Sequence, residues 1–276
     1  MEARGHTAQI DCFPEWDQDP DFADIDIVLR GHDSYEAHAD HKHILWQIYP
    51  GKHARRRPER RSEFDAASHV IFASEIDGLE ERNCTGFTSP SSVLMQAFDE
   101  KVMYTNSNLK RDGILFVGRN HMPDEEIRPI VKMVVDAGYS PKIYGPGWDH
   151  TSLKSSVKAN YLPNDELGNA YRSAKIVLCD HFPSMREFGY VSNRIYDALA
   201  CGAPVISDYV NGLPEELEPH VWLCKTPADV KNAVEEIFAE SESKRAARDA
   251  FAKALVHKHS FDVRAKQIED LINDIL

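Results

Sequence analysis

The sequence predicts an α/β protein built on parallel, doubly wound sheets. In the second half, short runs rich in Val, Ile and Leu alternate with amphipathic stretches. Strands that alternate with helices form parallel sheets covered on both faces. Three strand or helix boundaries there carry glycine or small polar residues: Gly118-Arg119, Gly145-Pro146-Gly147 and the helix start at Ser192. Ligands of such sheets bind beyond the carboxyl ends of the strands, so these three places converge on one site.

The first half is less regular. TAQIDCF (7–13), DIDIVLRG (24–31), HKHILWQIYP (41–50) and SHVIFASE (68–75) read as strands, with connections too short for a full helix each time. Together they suggest a small Rossmann-like domain over residues 1–108, with DEKVMYTNSNLK (99–110) as linker. ILFVGR (114–119) then reads as a strand, DEEIRPIVKMVVDAG (124–138) as a helix with an apolar face and a glycine stop, and PKIYGPG (141–147) as a strand. DELGNAYRSA (165–174) is a helix, KIVLCD (175–180) a strand, 192–201 a helix, APVIS (203–207) and VWLCK (221–225) strands, and PADVKNAVEEIFAES (227–241) a helix. This second domain spans 109–243. Residues 244–276 read as charged amphipathic helices split near His259-Ser260-Phe261.

Composition narrows the function. The 276 residues suffice for two modest domains. The net charge of −13 argues against a general nucleic-acid binder, so no nucleic-acid partner is expected. No apolar run is long enough to span a membrane, and MEARGHTAQIDCF lacks the core of a signal peptide. The five cysteines are scattered; Cys179 and Cys201 sit in apolar runs as small core residues. These features predict a reduced, cytoplasmic protein.

The most informative stretch is EFGYVSNRIYDALACGAPVIS (187–207). Ser192 or Asn193 caps a helix that ends at Gly202. The orphan N–H groups and the helix dipole can hold an anion such as a diphosphate. Asp197, a turn further on, offers a carboxylate to sugar hydroxyls. A phosphate seat beside a hydroxyl acceptor suits a nucleotide.

FVGR, YGPG, SNRIYDALACGAPVIS, GLPEEL and HSFDVRAKQIEDLI, in that order, resemble the C-terminal half of a GT-B glycosyltransferase, in the group that includes CgeB-like and group 1 enzymes. The resemblance covers residues 90–276 and is weaker over 1–90. It implies two Rossmann-like domains, the second holding a nucleotide-sugar with no metal or other cofactor, and a final helix crossing back to the first. Carried over residue by residue, Gly118 and Arg119 lie near the diphosphate, with Gly145 also on the donor side. Ser192, Asn193 and Arg194 form the helix start that meets the phosphates, Arg194 adding a fixed charge against the leaving group. Asp197 matches the ribose-binding carboxylate, and Glu187 resembles the glutamate facing the donor sugar. Many relatives carry those two acids as E-x7-E, whereas Glu187 and Asp197 stand ten apart. The family's lysine after the Gly-Arg pair is replaced by Asn120-His121-Met122-Pro123, leaving Arg194 or Arg186 to supply its charge. The first strand and glycine-rich loop of the family's N-terminal domain have no counterpart, so that domain is expected to be small or incomplete.

Two further signals lie in the first half. KHARRRPERR (52–61) places Arg55, Arg56, Arg57, Arg60 and Arg61 together in an acidic chain. It reads either as a solvated segment or as a contact for an anionic acceptor, a membrane surface or a partner subunit. HDSYEAHADHKH (32–43) fits no compact zinc pattern, so no metal is expected, while His32 or Asp33 could act on the acceptor side. The reading is a glycosyltransferase moving a sugar from a nucleotide-sugar to a glycan or lipid-linked acceptor. Its setting is cell-surface, capsule or LPS-type polysaccharide synthesis, in the cytoplasm or peripheral at the inner face of the membrane. The alternative is a non-catalytic or degenerate GT-B subunit that binds a partner or nucleotide without turnover.

Overall fold

Both halves fold as parallel α/β layers in the computed structural model, which describes residues 1–10, 23–31, 41–50, 60–123 and 126–276. Backbone contacts divide them into two units. The first comprises Met1–Met95, Glu187–Tyr190 and Asp262–Leu276; the second comprises Gln96–Arg186 and Val191–Phe261.

In the first unit the chain runs through β1 (Asp26–Arg30), β2 (His43–Gln47), α1 (Arg61–Ala66), β3 (His69–Phe72), α2 (Glu75–Thr85) and β4 (Ser91–Val93). The four strands pair in chain order, all parallel. Neighbouring strand residues point to opposite faces. Val28, Leu45, Val70 and Phe72 therefore share one core with Phe64 and Phe87. Ile44 and Ile71 face the other side, against Leu94 and against Ile268 and Ile272 of the last helix, Phe261–Ile275. Residues 7–10, expected at the start of a strand, belong to none, and 11–13 lie outside the described residues.

α2, which follows the last of the expected strands, is a full helix that the sequence reading did not place. α2 opens on Ser74, whose hydroxyl accepts from the Asp77 N–H at 3.2 Å, and closes on Gly86 in the left-handed region at φ 62°. Its buried residues are Asp77, Glu81 and Thr85, a polar stripe at the spacing of one helix face. Gln47 and the Tyr190 hydroxyl donate to Asp77 at 3.2 and 2.6 Å. Arg60 donates to Gln47 and Glu81. Arg60 thus corrects the expectation of a surface run: its guanidinium turns inward because two carboxylates there need a cation. Arg61 is exposed and pairs with Asp65 at 3.1 Å; Arg55, Arg56 and Arg57 lie outside the described residues.

The second unit contains β5 (Ile114–Val117), α3 (Pro129–Asp136), β6 (Lys142–Tyr144), β7 (Val157–Ala159), α4 (Asn164–Ser173), β8 (Ile176–Cys179), α5 (Pro183–Phe188), α6 (Asn193–Ala200), β9 (Val205–Asp208), β10 (Val221–Cys224), α7 (Pro227–Phe238) and α8 (Glu242–His259). The last two residues of α5, Glu187 and Phe188, group with the first unit. The sheet order is β10-β9-β8-β5-β6-β7, all parallel. β8 and β9 are buried along their whole length, as befits strands with helices on both faces. α3 and α7 pack on one side, where Ile130, Val131, Val134, Val230 and Val234 join the strand core. α7 starts with a capping box between Thr226 and Asp229. Residues 96–111 lie along this unit: Arg172 donates to the Val102 carbonyl at 2.7 Å, and Arg111 to the Cys201 carbonyl at 2.7 Å.

The strand order matters for function. From β5 the chain lays β6 and β7 on one side, then returns to place β8, β9 and β10 on the other. The reversal leaves a crevice beyond the carboxyl ends of β5 and β8, which is where open parallel sheets bind ligands.

Candidate functional site

The ladder between β5 and β8 pairs Ile114 with Ile176 and Leu115 with Val177. Past it, the Arg194 guanidinium stands at both strand ends, donating to the Val117 carbonyl at 2.7 Å and lying 3.8 Å from the Cys179 sulfur. It also lies over the Phe116 ring at 5.4 Å. Burial pushes the Cys179 thiol up to about 11, so it stays protonated. Arg194 therefore braces the reversal point, with part of its hydrogen-bonding capacity spent on the backbone.

The two expected glycines serve packing. A Cβ on Gly145, whose φ is 135°, would meet the Gly118 carbonyl oxygen at 2.3 Å. The β5 and β6 ends can approach so closely only with glycine there. A Cβ on Gly118 would stand 3.1 Å from both Arg194 and the Phe116 ring. Arg119 follows with its side chain exposed at the end of β5.

α6 begins as its sequence requires. Ser192 is the N-cap and accepts from the Arg194 N–H. The Asn193 amide donates to Asp197 at 3.2 Å, one turn along. Asp197 is 8% exposed, and burial raises its carboxyl to about 7, against the opposing pull of Arg194 and Asn193. Ser192, Asn193, Arg194 and Asp197 are thus brought together beside the crevice with Gly118. Glu187 is exposed and groups with the first unit. His32 and Asp33 lie outside the described residues.

A charged network unforeseen from the sequence borders the same strand ends. Asp180, just past β8, holds Arg128 through both carboxylate oxygens. Arg128 also donates to the Arg119 carbonyl at 3.0 Å and to His121 Nδ1 at 2.9 Å. The next residue, His181, is buried. Its Nδ1 bonds Asp208, at the end of β9, at 2.6 Å, and its Nε2 accepts from the Ser192 N–H at 3.0 Å. That second bond fixes the tautomer, with the proton on Nδ1 facing Asp208. Arg186 supplies Asp208 with a cation at 3.2 Å. The available signal was the acid closing each apolar run, KIVLCD and APVISD. Among the described residues no group of three His, Cys, Asp or Glu side chains is placed to hold a metal ion.

Residues 126–270, just over half of the chain, match the family model described as glycosyl transferase-like. The chain belongs to the glycosyl transferase-like family. Its two parallel α/β units are those of the GT-B glycosyltransferases. Sucrose-phosphate synthase from Thermosynechococcus elongatus aligns with a TM-score of 0.61 at 16% identity, over 85% of this chain and 68% of that one. HepE from Anabaena, in complex with UDP, aligns with a TM-score of 0.63 at 10% identity, over 85% and 72% of the respective chains. The GtfA/B complex aligns at 0.54 and 11% identity, over 79% and 47%. No curated protein matches this sequence. In this glycosyltransferase the matched segment includes Arg128, Asp180, His181, Ser192, Asp197 and Asp208. None of the helices among its described residues is long and apolar enough to cross a membrane.

Proposed function

We propose that this glycosyltransferase binds a nucleoside-diphosphate sugar over the carboxyl ends of β5, β8 and β9. The observation that carries this is the charged network at the strand reversal, which fixes the start of α6 through His181 and places Asp197 one turn behind it. HepE supports the reading, having been seen with UDP and with UDP-glucose. The ribose hydroxyls bond to Asp197. The diphosphate meets the start of α6 and the exposed Arg119, whose positive charges stabilise the leaving group as its bond to the sugar breaks. Protein cations do this work without a metal. The Ser192 N–H is already engaged by His181, so the first turn offers Asn193 instead.

For the acceptor we propose a glycan or lipid-linked sugar of surface polysaccharide synthesis, with contact at the membrane face or with a partner subunit. The exposed Arg61 and the basic run it ends support this. The test is release or transfer of sugar from a panel of UDP-, GDP-, CDP-, ADP- and dTDP-sugars, with and without EDTA. Turnover of one nucleotide class, lost in Asp197→Ala and insensitive to EDTA, is expected. The ten-residue spacing of Glu187 and Asp197, where many relatives carry E-x7-E, favours a second reading, nucleotide binding without turnover. Binding of a nucleoside diphosphate with no release of sugar from any donor would select that reading.

A further inference from the structure

His121 stands at the same strand ends, bonded by Arg128, and the proposed function gives it no role. We infer that His121 is a further donor-site residue, a neutral imidazole whose Nε2–H bonds an oxygen of the nucleotide's diphosphate. This rests on the proposed donor site and deepens it.

The geometry fixes the tautomer. Arg128 is anchored on both oxygens of Asp180, so its guanidinium cannot swing away. Its remaining nitrogen reaches His121 Nδ1 at 2.9 Å. A guanidinium carries only donors, so Nδ1 accepts, and the single proton of a neutral imidazole lies on Nε2. Among the described residues nothing else bonds that nitrogen. The ring plane is held by Phe182, whose ring centroid is 4.3 Å away at a 33° tilt. The groups facing the ring are Arg128, Asp180 and Arg119; burial and the two arginines hold its pKa below the usual histidine value, outweighing Asp180. His121 therefore stays neutral in neutral solution and presents a fixed N–H donor.

A neutral donor suits this place. Arg119 and Arg128 already supply positive charge, and an imidazolium would be repelled by both. An N–H directed at a phosphate oxygen adds a charge-assisted bond without a further buried charge. His121 is two residues past Arg119, and Arg128 bonds both, so one guanidinium sets the place of the loop that carries them.

The test is calorimetric binding of UDP, GDP, CDP, ADP and dTDP, of the matching nucleosides and of pyrophosphate to the parent, His121→Ala and His121→Gln. Glutamine keeps an N–H near the Nε2 position. For the diphosphate that binds, His121→Ala is expected to weaken affinity roughly tenfold or more while leaving the nucleoside unaffected. His121→Gln is expected to recover part of the loss. Nitrogen-15 NMR of the unliganded parent is expected to show the Nε2–H tautomer, and thermal unfolding checks that both variants fold. Unchanged diphosphate affinity in His121→Ala, or an equal loss for the nucleoside, overturns the inference and leaves the donor site standing. If the parent binds no nucleoside diphosphate, the donor-site reading falls and this inference falls with it.

Discussion

Burial raises the Asp197 carboxyl to about 7, although Arg194 and the Asn193 amide both favour its ionised form. A folded-state pKa above the unfolded value means that the folded chain holds this proton longer. The group's stabilising contribution is then complete at low pH and is lost as the pH rises from about 4 to about 7. Asp197→Asn removes the titration. Its melting temperature should gain on the parent's across that range and the gap should level off above it; a gap independent of pH would count against the buried carboxylate. The ionised form is also the better acceptor for ribose hydroxyls. Nucleotide affinity should therefore rise more steeply between pH 6 and 8 in the parent than in Asp197→Asn, where only the ligand's own terminal phosphate titrates. His181 makes a separate demand. His181→Ala leaves the Ser192 N–H without its partner and removes the closest donor to Asp208, and a loss of about 2–4 kcal/mol in urea unfolding is expected. A loss under about 0.5 kcal/mol, typical of surface substitutions, would mean that the dyad does not hold α6.

At the scale of elements, legibility followed the source of each element's stability. β8 and β9 are four-residue runs buried throughout, and α6 carries a serine cap, so apolar pattern, with capping chemistry at α6, located these strands and α6 and α7 to within two or three residues. α2 escaped because its inward face is Asp77, Glu81 and Thr85, which leaves no apolar periodicity to read. β4 and β7 are three residues long, with exposed positions, and α5 and α1 are six residues each. Such short pieces are held by neighbours rather than by their own pattern. The polar face of α2 is testable. Tyr190→Phe deletes the 2.6 Å bond to Asp77, and equilibrium unfolding should show a cost of about 1–2 kcal/mol. Gly145→Ala should cost more, about 2 kcal/mol or above, since its Cβ meets backbone and its φ is positive. A fully stable Gly145→Ala protein would refute the close approach of the β5 and β6 ends.

For the whole molecule, the sequence order of strands carried more functional information than any single motif. The alternation in the second half pointed to a parallel sheet and hence to its carboxyl edge. The blocks resembling GT-B enzymes fall on that edge at Gly118, Ser192 and Asp197. What stayed hidden was the pairing of Arg128 with Asp180 and of His181 with Asp208, over separations of 52 and 27 residues. Such long-range contacts have no local pattern, and only the fold brings them together. The central claim is that this edge seats a nucleoside diphosphate in a chain of net charge −13. The most direct measurement is the thermal shift of the parent and Asp197→Ala with UDP, GDP, CDP, ADP and dTDP. A ligand at a hundredfold excess over its Kd adds about 2.7 kcal/mol to the folded state. A clear rise in melting temperature with one of these nucleotides, largely lost in Asp197→Ala, is expected. No rise with any of them, or an equal rise in Asp197→Ala, would contradict it.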